Sequence, residues 1–220
     1  MSITLYELTH SPFCIAISQL LRACGVPFEQ REVPNWDRRE ILRLTDGAYY
    51  QVPVLVHDGR VVFETAGDSQ DVARYADARF AAGRFFPARL EGLQAVVIDF
   101  IENEVEARTF KLVDPLYLDS IDDVAERGMI IRHKERKFGR GCVEQWRRDA
   151  GQIREEADRL LERFDATLRH SPFLFGDAPV FSDFLLFGIL GNFTFRGCNC
   201  LNADQAALAR WQETIVTFRL

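Results

Sequence analysis

The sequence predicts an α/β unit followed by an all-helical unit, and three observations lead to this fold class. In residues 1–80, stretches rich in β-branched and aromatic side chains alternate with stretches of helical periodicity. From residue 88 onward the strand signals fade and apolar residues recur at helical spacing. The change falls near Phe86-Pro87, so we predict two domains, at residues 1–83 and 88–220.

The first domain reads as β-α-β-α-β-β-α. ITLYEL predicts the first strand, and the helix after it runs from Pro12 to Cys24 before Gly25 and Pro27 end it. FEQREV alternates apolar and polar side chains, as a strand does, and Asp37 is a plausible cap for a short helix ending at Leu44. VPVLV, a turn at HDGR and VVF then predict a hairpin, after which GDSQDVARYADARF begins another helix.

The second domain shows only helical patterns. Apolar residues at positions 153, 157, 160, 161, 164 and 168 share one face of a predicted four-turn helix whose other face is charged. FSDFLLFGIL is apolar nearly all round, which is typical of a central helix buried by its neighbours.

Composition narrows the function classes. The chain has 220 residues, of which 47% are hydrophobic, and a formal net charge of -6, which argues against a nucleic-acid-binding protein. The basic run RHKERKFGR at residues 132–140 is interpreted as a solvated helix face, because Glu135 and Glu144 interleave with it. We expect no membrane association and a cytoplasmic location, since no signal sequence or long apolar run is apparent.

The cysteines predict reduced thiols. The five of them have no C-x-x-C spacing, so neither a disulfide framework nor a metal site is expected.

Four landmarks occur in a fixed order along the chain. They are Ser11-Pro12-Phe13-Cys14 after the first strand, Gln51-Val52-Pro53 before the third, Asp68-Ser69 followed by Val72 and Tyr75, and Asp183 in the buried helix. In this order and spacing the chain resembles the cytosolic glutathione transferase superfamily over nearly its whole length. A fainter likeness, in RHKERKFGRGCVEQW, is to the β-etherase-like branch.

The resemblance implies a thioredoxin-like first domain that binds glutathione as co-substrate, no metal, and a homodimer with a role in detoxification. The glutathione-binding residues it implies are Phe13, Gln51, Val52, Pro53, Asp68 and Ser69. A cis Pro53 is expected, with the Val52 backbone pairing with the cysteinyl part of glutathione. An acid followed by a hydroxyl residue also occurs at Glu64-Thr65, but only Asp68-Ser69 is followed by apolar residues at the spacing of a buried helix face.

Ser11 and Cys14 are alternative reactive residues. Ser11 occupies the first position of the four-residue motif, where its hydroxyl would stabilise the glutathione thiolate by donating a hydrogen bond. Cys14, at the fourth position, is either a small buried hydrophobe or a thiolate able to form a mixed disulfide, and we favour the first reading. His10 precedes Ser11 and would be its general base only if its ring pointed toward the hydroxyl.

Two features depart from the family pattern. Ile15, Ala16 and Ile17 stand where the family's transferases often carry a basic residue. Val180 cannot cap the buried helix, so we expect Asp183 to act through the helix dipole alone, or the helix to begin later, at Ser182.

The sequence therefore predicts a glutathione transferase acting on an apolar, aromatic electrophile, with Ser11 as the catalytic residue. The second substrate is expected on the helical domain, against Phe100, Glu104, Arg108 and Tyr117. One alternative is a thiol transferase or glutathione-dependent reductase that uses Cys14. The other is a catalytically silent interaction protein with the same fold.

Overall fold

A four-stranded mixed sheet forms the centre of the N-terminal half. The computed structural model describes residues 1–65 and 70–220. The strands are β1 (Ile3–Glu7), β2 (Glu29–Glu32), β3 (Val54–His57) and β4 (Arg60–Phe63), in the order β2-β1-β3-β4. β1 runs parallel to β2 and antiparallel to β3, and β3 and β4 form a hairpin.

Outside the sheet, α-helices hold most of the described residues. They are α1 (Pro12–Ala23), α2 (Arg39–Leu44), α3 (Asp71–Ala76), α4 (Glu91–Phe100), α5 (Ala107–Asp119), α6 (Val124–Phe138), α7 (Cys142–Arg148), α8 (Ala150–Leu168), α9 (Phe181–Phe193) and α10 (Ala206–Thr217). Two π-helical segments, Asp77–Ala81 and Ile101–Glu106, extend α3 and join α4 to α5. The predicted fold class, a thioredoxin-like α/β unit followed by an all-helical one, is confirmed.

Alternating side chains of the sheet feed two apolar clusters. Ile3, Leu5 and Leu55 pack with α1, α3 and the helical half of the chain. Tyr6 and Val54, on the opposite face, pack with Ile41 of α2. Because successive strand residues point to opposite faces, the central strands β1 and β3 are covered on both sides.

Helix α9 is the central helix, as its apolar sequence predicted, and it packs closely on α1. A Cβ built on Gly188 would lie 2.1 Å from the carbonyl oxygen of Pro12 and 3.0 Å from the Cβ of Ala16. Only a residue without a side chain fits there. The first turn of α1 is therefore held against the helical half of the protein.

Asp183 stabilises the start of α9 differently from our expectation. The helix begins at Phe181, and the Asp183 carboxylate accepts hydrogen bonds from the Val180 and Leu174 N–H groups and from Trp211 Nε1, each at 3.0 Å. A carboxylate in the first turn reaches back to the residue before the helix, so neither a dipole effect alone nor a later start is needed. Burial raises the pKa of Asp183 to about 6.

None of the helices within the described residues has the length and apolarity that crossing a membrane requires.

Candidate active site

Ser11 lies at the N-terminus of α1, between the sheet and the helical half of the chain. It is the N-cap residue, in extended conformation, and its Oγ accepts a hydrogen bond from the Cys14 N–H at 3.5 Å. Its side chain is largely buried, with the residue 9% exposed, and it lines a cavity. Since a hydroxyl both accepts and donates, the Ser11 proton can be directed into that cavity.

Cys14 is fully buried beneath Ser11. It packs among Tyr6, Val33, Val52 and Val54, on the face of the sheet that α2 covers. Burial raises the pKa of its thiol to about 12, against the lowering effect of the hydrogen bond with Ser11. The thiol is therefore protonated at neutral pH, which favours Ser11 over Cys14 as the reactive residue.

The His10 ring packs against two aromatic rings. It stacks on the Tyr117 ring with the centroids 4.2 Å apart, and the centroid of the Phe195 ring lies 5.7 Å away. Burial, together with the charges of Lys134, Arg38 and Arg196, lowers the pKa of His10 to about 4. His10 is thus a neutral aromatic wall of the cavity.

The cavity beside Ser11 has a volume of about 350 Å³ and is lined by both halves of the chain. The N-terminal half contributes Ser11, Phe13, Gln51 and Val52, among others. Helices α5 and α6 supply an apolar wall consisting of Phe110, Tyr117, Leu118, Met129 and Ile130. We call this the α5–α6 cavity. It is large enough for a small aromatic molecule.

A second depression of about 620 Å³ adjoins the first through Phe13, Gln51 and Val52. Pro53, Glu64 and Thr65 also line it. The Val52–Pro53 peptide bond is cis, as the resemblance implies. The first paired residue of β3 is Val54, so the Val52 backbone lies outside the β3–β4 ladder. Val52 lines both depressions.

Glu64 and Thr65 interact with the start of α3. The Glu64 carboxylate accepts from the N–H groups of Asp71 at 2.7 Å and Val72 at 3.4 Å. The Thr65 hydroxyl donates to the Asp71 carboxylate at 2.6 Å. Asp68 and Ser69, the predicted pair, lie outside the described residues. Val72 of α3 is buried and Tyr75 is half-buried. These two residues form the apolar helix face on which the prediction of Asp68-Ser69 over Glu64-Thr65 depends.

One of the four residues predicted to contact the second substrate, Tyr117, lines the α5–α6 cavity. The other three lie elsewhere: Phe100 packs on Phe164, with the ring centroids 6.0 Å apart, and Arg108 forms ion pairs with Glu104 and Glu156. Phe100 and Glu104 come before the end of the π-helical segment Ile101–Glu106. A π-helical turn holds more residues than an α-helical turn, so it rotates the faces of the preceding residues relative to those of α5.

Sequence reasoning missed Arg38 and Glu106. Arg38 lines the α5–α6 cavity just before α2, and its Nη1 is buried with no hydrogen-bond partner among residues 1–65 and 70–220. Glu106 ends the π-helical segment and lines the same cavity, where burial raises its pKa to about 7. The only sequence signal for Arg38 was the basic pair it forms with Arg39.

No cluster of three or more His, Cys, Asp or Glu side chains suited to a metal ion occurs in the described part of the chain.

Comparison with known proteins bears on the whole chain. Residues 5–84 match the family model of the glutathione S-transferase N-terminal domain, and residues 130–217 that of the C-terminal domain. A rice protein (Oryza sativa subsp. japonica) described as probable glutathione S-transferase GSTU6 is 27% identical over 208 residues, covering 92% of this chain and 79% of its own.

Solved structures share the fold. A glutathione S-transferase of Ceriporiopsis subvermispora, crystallised with glutathione, superimposes with a TM-score of 0.82 at 16% identity, over 100% of this chain and 98% of its own. Glutaredoxin 2 of Salmonella typhimurium, also with glutathione, has a TM-score of 0.75 at 20% identity, covering 99% of this chain and 94% of its own. With both domain models matched in order along the chain, this protein belongs to the glutathione transferase superfamily.

Proposed function

We propose that this protein is a glutathione transferase in which the Ser11 hydroxyl stabilises the glutathione thiolate. The observation that carries the proposal is the contrast between Ser11, which caps α1 at the cavity, and Cys14, which is 0% exposed beneath it. A hydroxyl aimed at a sulfur lowers the thiol pKa by donating to the anion, and about two pKa units correspond to only about 2.7 kcal/mol.

Glutathione has groups that match the chemistry along the two depressions. Its cysteinyl backbone would pair with Val52 in the manner of an added strand, which sets the sulfur beside Ser11. Its glycyl carboxylate would accept from the buried Nη1 of Arg38. We assign its γ-glutamyl end to Asp68 and Ser69, as the resemblance implies, with Phe13, Gln51 and Pro53 as further contacts.

The reaction is a substitution or addition at an electrophilic carbon. The thiol proton passes to solvent, the thiolate forms a C–S bond, and in a substitution the leaving group departs with its electron pair. Phe110 and Tyr117 line the same cavity as Ser11, which supports an aromatic electrophile. Catalysis then consists of positioning and electrostatic stabilisation.

Two assays run on the same preparation test this proposal. Glutathione conjugation to a chloro-dinitrobenzene should proceed above the uncatalysed rate, and reduction of a glutathione mixed disulfide should not. Disulfide reduction that is lost in Cys14→Ala would instead establish the Cys14-dependent reductase.

A binding measurement separates the silent alternative. Millimolar glutathione should raise the melting temperature, because a ligand that binds only the folded state stabilises it. No shift and no heat of binding in calorimetry would exclude the transferase and leave an interaction protein.

We also propose a homodimer, on the resemblance to the family and because symmetric dimers are the commonest oligomers. Light scattering at micromolar concentration should give twice the chain mass, and a monomer mass would contradict this.

A further inference from the structure

The basic run on α6 is not a uniformly solvated face. The basic side chains of α6 that line the α5–α6 cavity are Arg132, His133, Lys134 and Arg136, and Arg38 from the N-terminal half lines it too. The described acids of the cavity wall are Glu106 and Asp114. In a chain of net charge -6, this gathering of basic side chains around one cavity is a local feature that the overall charge does not explain.

The two acids of the wall cancel only part of this charge. Asp114 forms an ion pair with Lys134, and both side chains are shielded from solvent. Glu106 has its pKa raised to about 7 by burial, with Asp114 and Glu102 raising it and Lys134 and Lys137 lowering it. Near neutral pH its carboxyl group is therefore protonated more often than an ordinary glutamate.

The two histidines beside the cavity have only basic groups among the charges that shift their pKa values. Burial lowers the pKa of His133, and the neighbouring charges that add to this effect are all basic: Lys134, Lys137, Arg136 and Arg38. The same holds for His10, whose pKa is lowered by burial and then by Lys134, Arg38 and Arg196.

Among the basic residues of α6 that line the cavity, the two that form ion pairs with described carboxylates are Lys134 and Arg132, and Arg136 differs from them. Lys134 is paired with Asp114, and Arg132 donates to Glu135 at 2.7 Å. Within the described parts of the chain, no carboxylate lies within 4.0 Å of the Arg136 guanidinium. A second substrate that supplied an anion would meet this guanidinium at the cavity mouth, with Arg132 beside it.

We propose that the second substrate is an aromatic compound carrying a negative group, with its ring against Phe110 and Tyr117 and its charge facing Arg136 and Arg132. This inference rests on the proposed function and defines its substrate class. The apolar electrophile expected from the sequence lacks the charge that this wall is suited to bind. Arg38, which comes from the N-terminal half, remains assigned to glutathione.

The test compares three ligands by calorimetry: glutathione, S-benzylglutathione, and S-benzylglutathione with a para carboxylate on the ring. The uncharged conjugate should bind more tightly than glutathione through its ring. The carboxylated conjugate should bind about fivefold more tightly than the uncharged one at low salt, and this advantage should shrink as ionic strength rises.

Variants locate the effect. Arg132→Gln together with Arg136→Gln should bring the ratio of the two conjugate affinities to about one, because the charge contact is then lost. Arg140→Gln removes a charge four residues after Arg136 but outside the cavity wall, and it should preserve the full ratio. Unmodified glutathione should bind all variants as it binds the wild-type protein.

Three outcomes would overturn the inference. Equal affinity for the two conjugates, with normal glutathione binding, sinks the anionic substrate and leaves the transferase proposal intact. A loss of glutathione affinity in the double variant would assign these arginines to the glutathione site instead. Failure of the wild-type protein to bind any of the three ligands would remove both proposals together.

Discussion

At the residue scale, the motif SPFC places one of its two polar side chains at the cavity and the other in the core. Ser11 precedes the helix and therefore projects from its N-terminus, whereas Cys14 lies on the first turn and faces the sheet. The Cys14 N–H donates to Ser11 and orients its hydroxyl. Position relative to the helix start thus decides which of the two side chains is accessible.

Ser11→Ala should lower the rate of glutathione conjugation by about a hundredfold, the usual effect of removing one donor from a developing or stabilised anion. Cys14→Ala, three residues away and fully buried, is the matched control and should change the rate only slightly. Steady-state kinetics with each folded variant measures this. If Cys14→Ala abolishes activity while Ser11→Ala retains it, the roles are reversed.

At the element scale, the packing of α9 on α1 sets where Ser11 lies. Gly188 lets α9 approach the Pro12 carbonyl. A Cβ built on Gly191, one turn later, would contact only the Ile15 side chain, at 3.1 Å. The Asn192 amide of α9 also donates to the His10 carbonyl at 2.6 Å. Helix α9 therefore supports the chain directly before and after Ser11.

Gly188→Ala should destabilise the protein by about 3 kcal/mol or more, because the added methyl meets backbone that cannot move without shifting α1. Gly191→Ala should cost about 1 kcal/mol, since the flexible Ile15 side chain can adjust. Denaturant unfolding compares the two. Equal stability losses would show that close approach at Gly188 does not matter.

The start of α3 bears on the assignment of the γ-glutamyl end of glutathione. Thr65 already donates its hydroxyl proton to Asp71, so Thr65→Ala should leave glutathione affinity nearly unchanged. Ser69→Ala should weaken it by about 1 to 2 kcal/mol, the value of one hydrogen bond to a charged group. Calorimetric titration decides, and the reverse order would assign the ligand to Glu64-Thr65.

At the scale of the whole molecule, the α5–α6 cavity exists only where the two halves meet. Tyr117 of the helical half stacks on His10 of the N-terminal half, and Arg38 lies across from α6. Burial at this junction, rather than any local feature of the sequence, raises the pKa of Glu106 to about 7.

The raised pKa of Glu106 gives stability a defined pH dependence. Between its ordinary value of 4.5 and about 7 the folded state binds more protons than the unfolded state, so the contribution of Glu106 to unfolding free energy falls as pH rises. Glu106→Gln should remove this contribution. The stability difference between variant and wild type should therefore shift by about 2 kcal/mol in favour of the variant from about pH 5 to about pH 8.

Denaturant unfolding of both proteins across this range measures the difference, in which other titrating groups such as Asp183 cancel. A difference that does not vary with pH would show that Glu106 has an ordinary pKa.

The sequence by itself determined the order of strands and helices, the family, and the close neighbours of Ser11. These depend on periodicity and on motifs whose members are few residues apart, such as Ser11 with Phe13 and Gln51 with Val52. It also indicated that α9 is central, since a helix apolar all round has no face left for solvent.

Only the tertiary structure decided which helical residues surround the cavity. The spacing of Phe100 and Glu104 along the chain does not reveal that a π-helical segment changes the helix phase before α5. Within α5, Tyr117 lines the cavity whereas Arg108 forms ion pairs with Glu104 and Glu156. Arg38 and Arg136 are about a hundred residues apart and look like ordinary surface charges until two separate elements face each other. Burial and charge at such a junction are properties of the packing between elements, and a linear pattern carries only the preferences of each element alone.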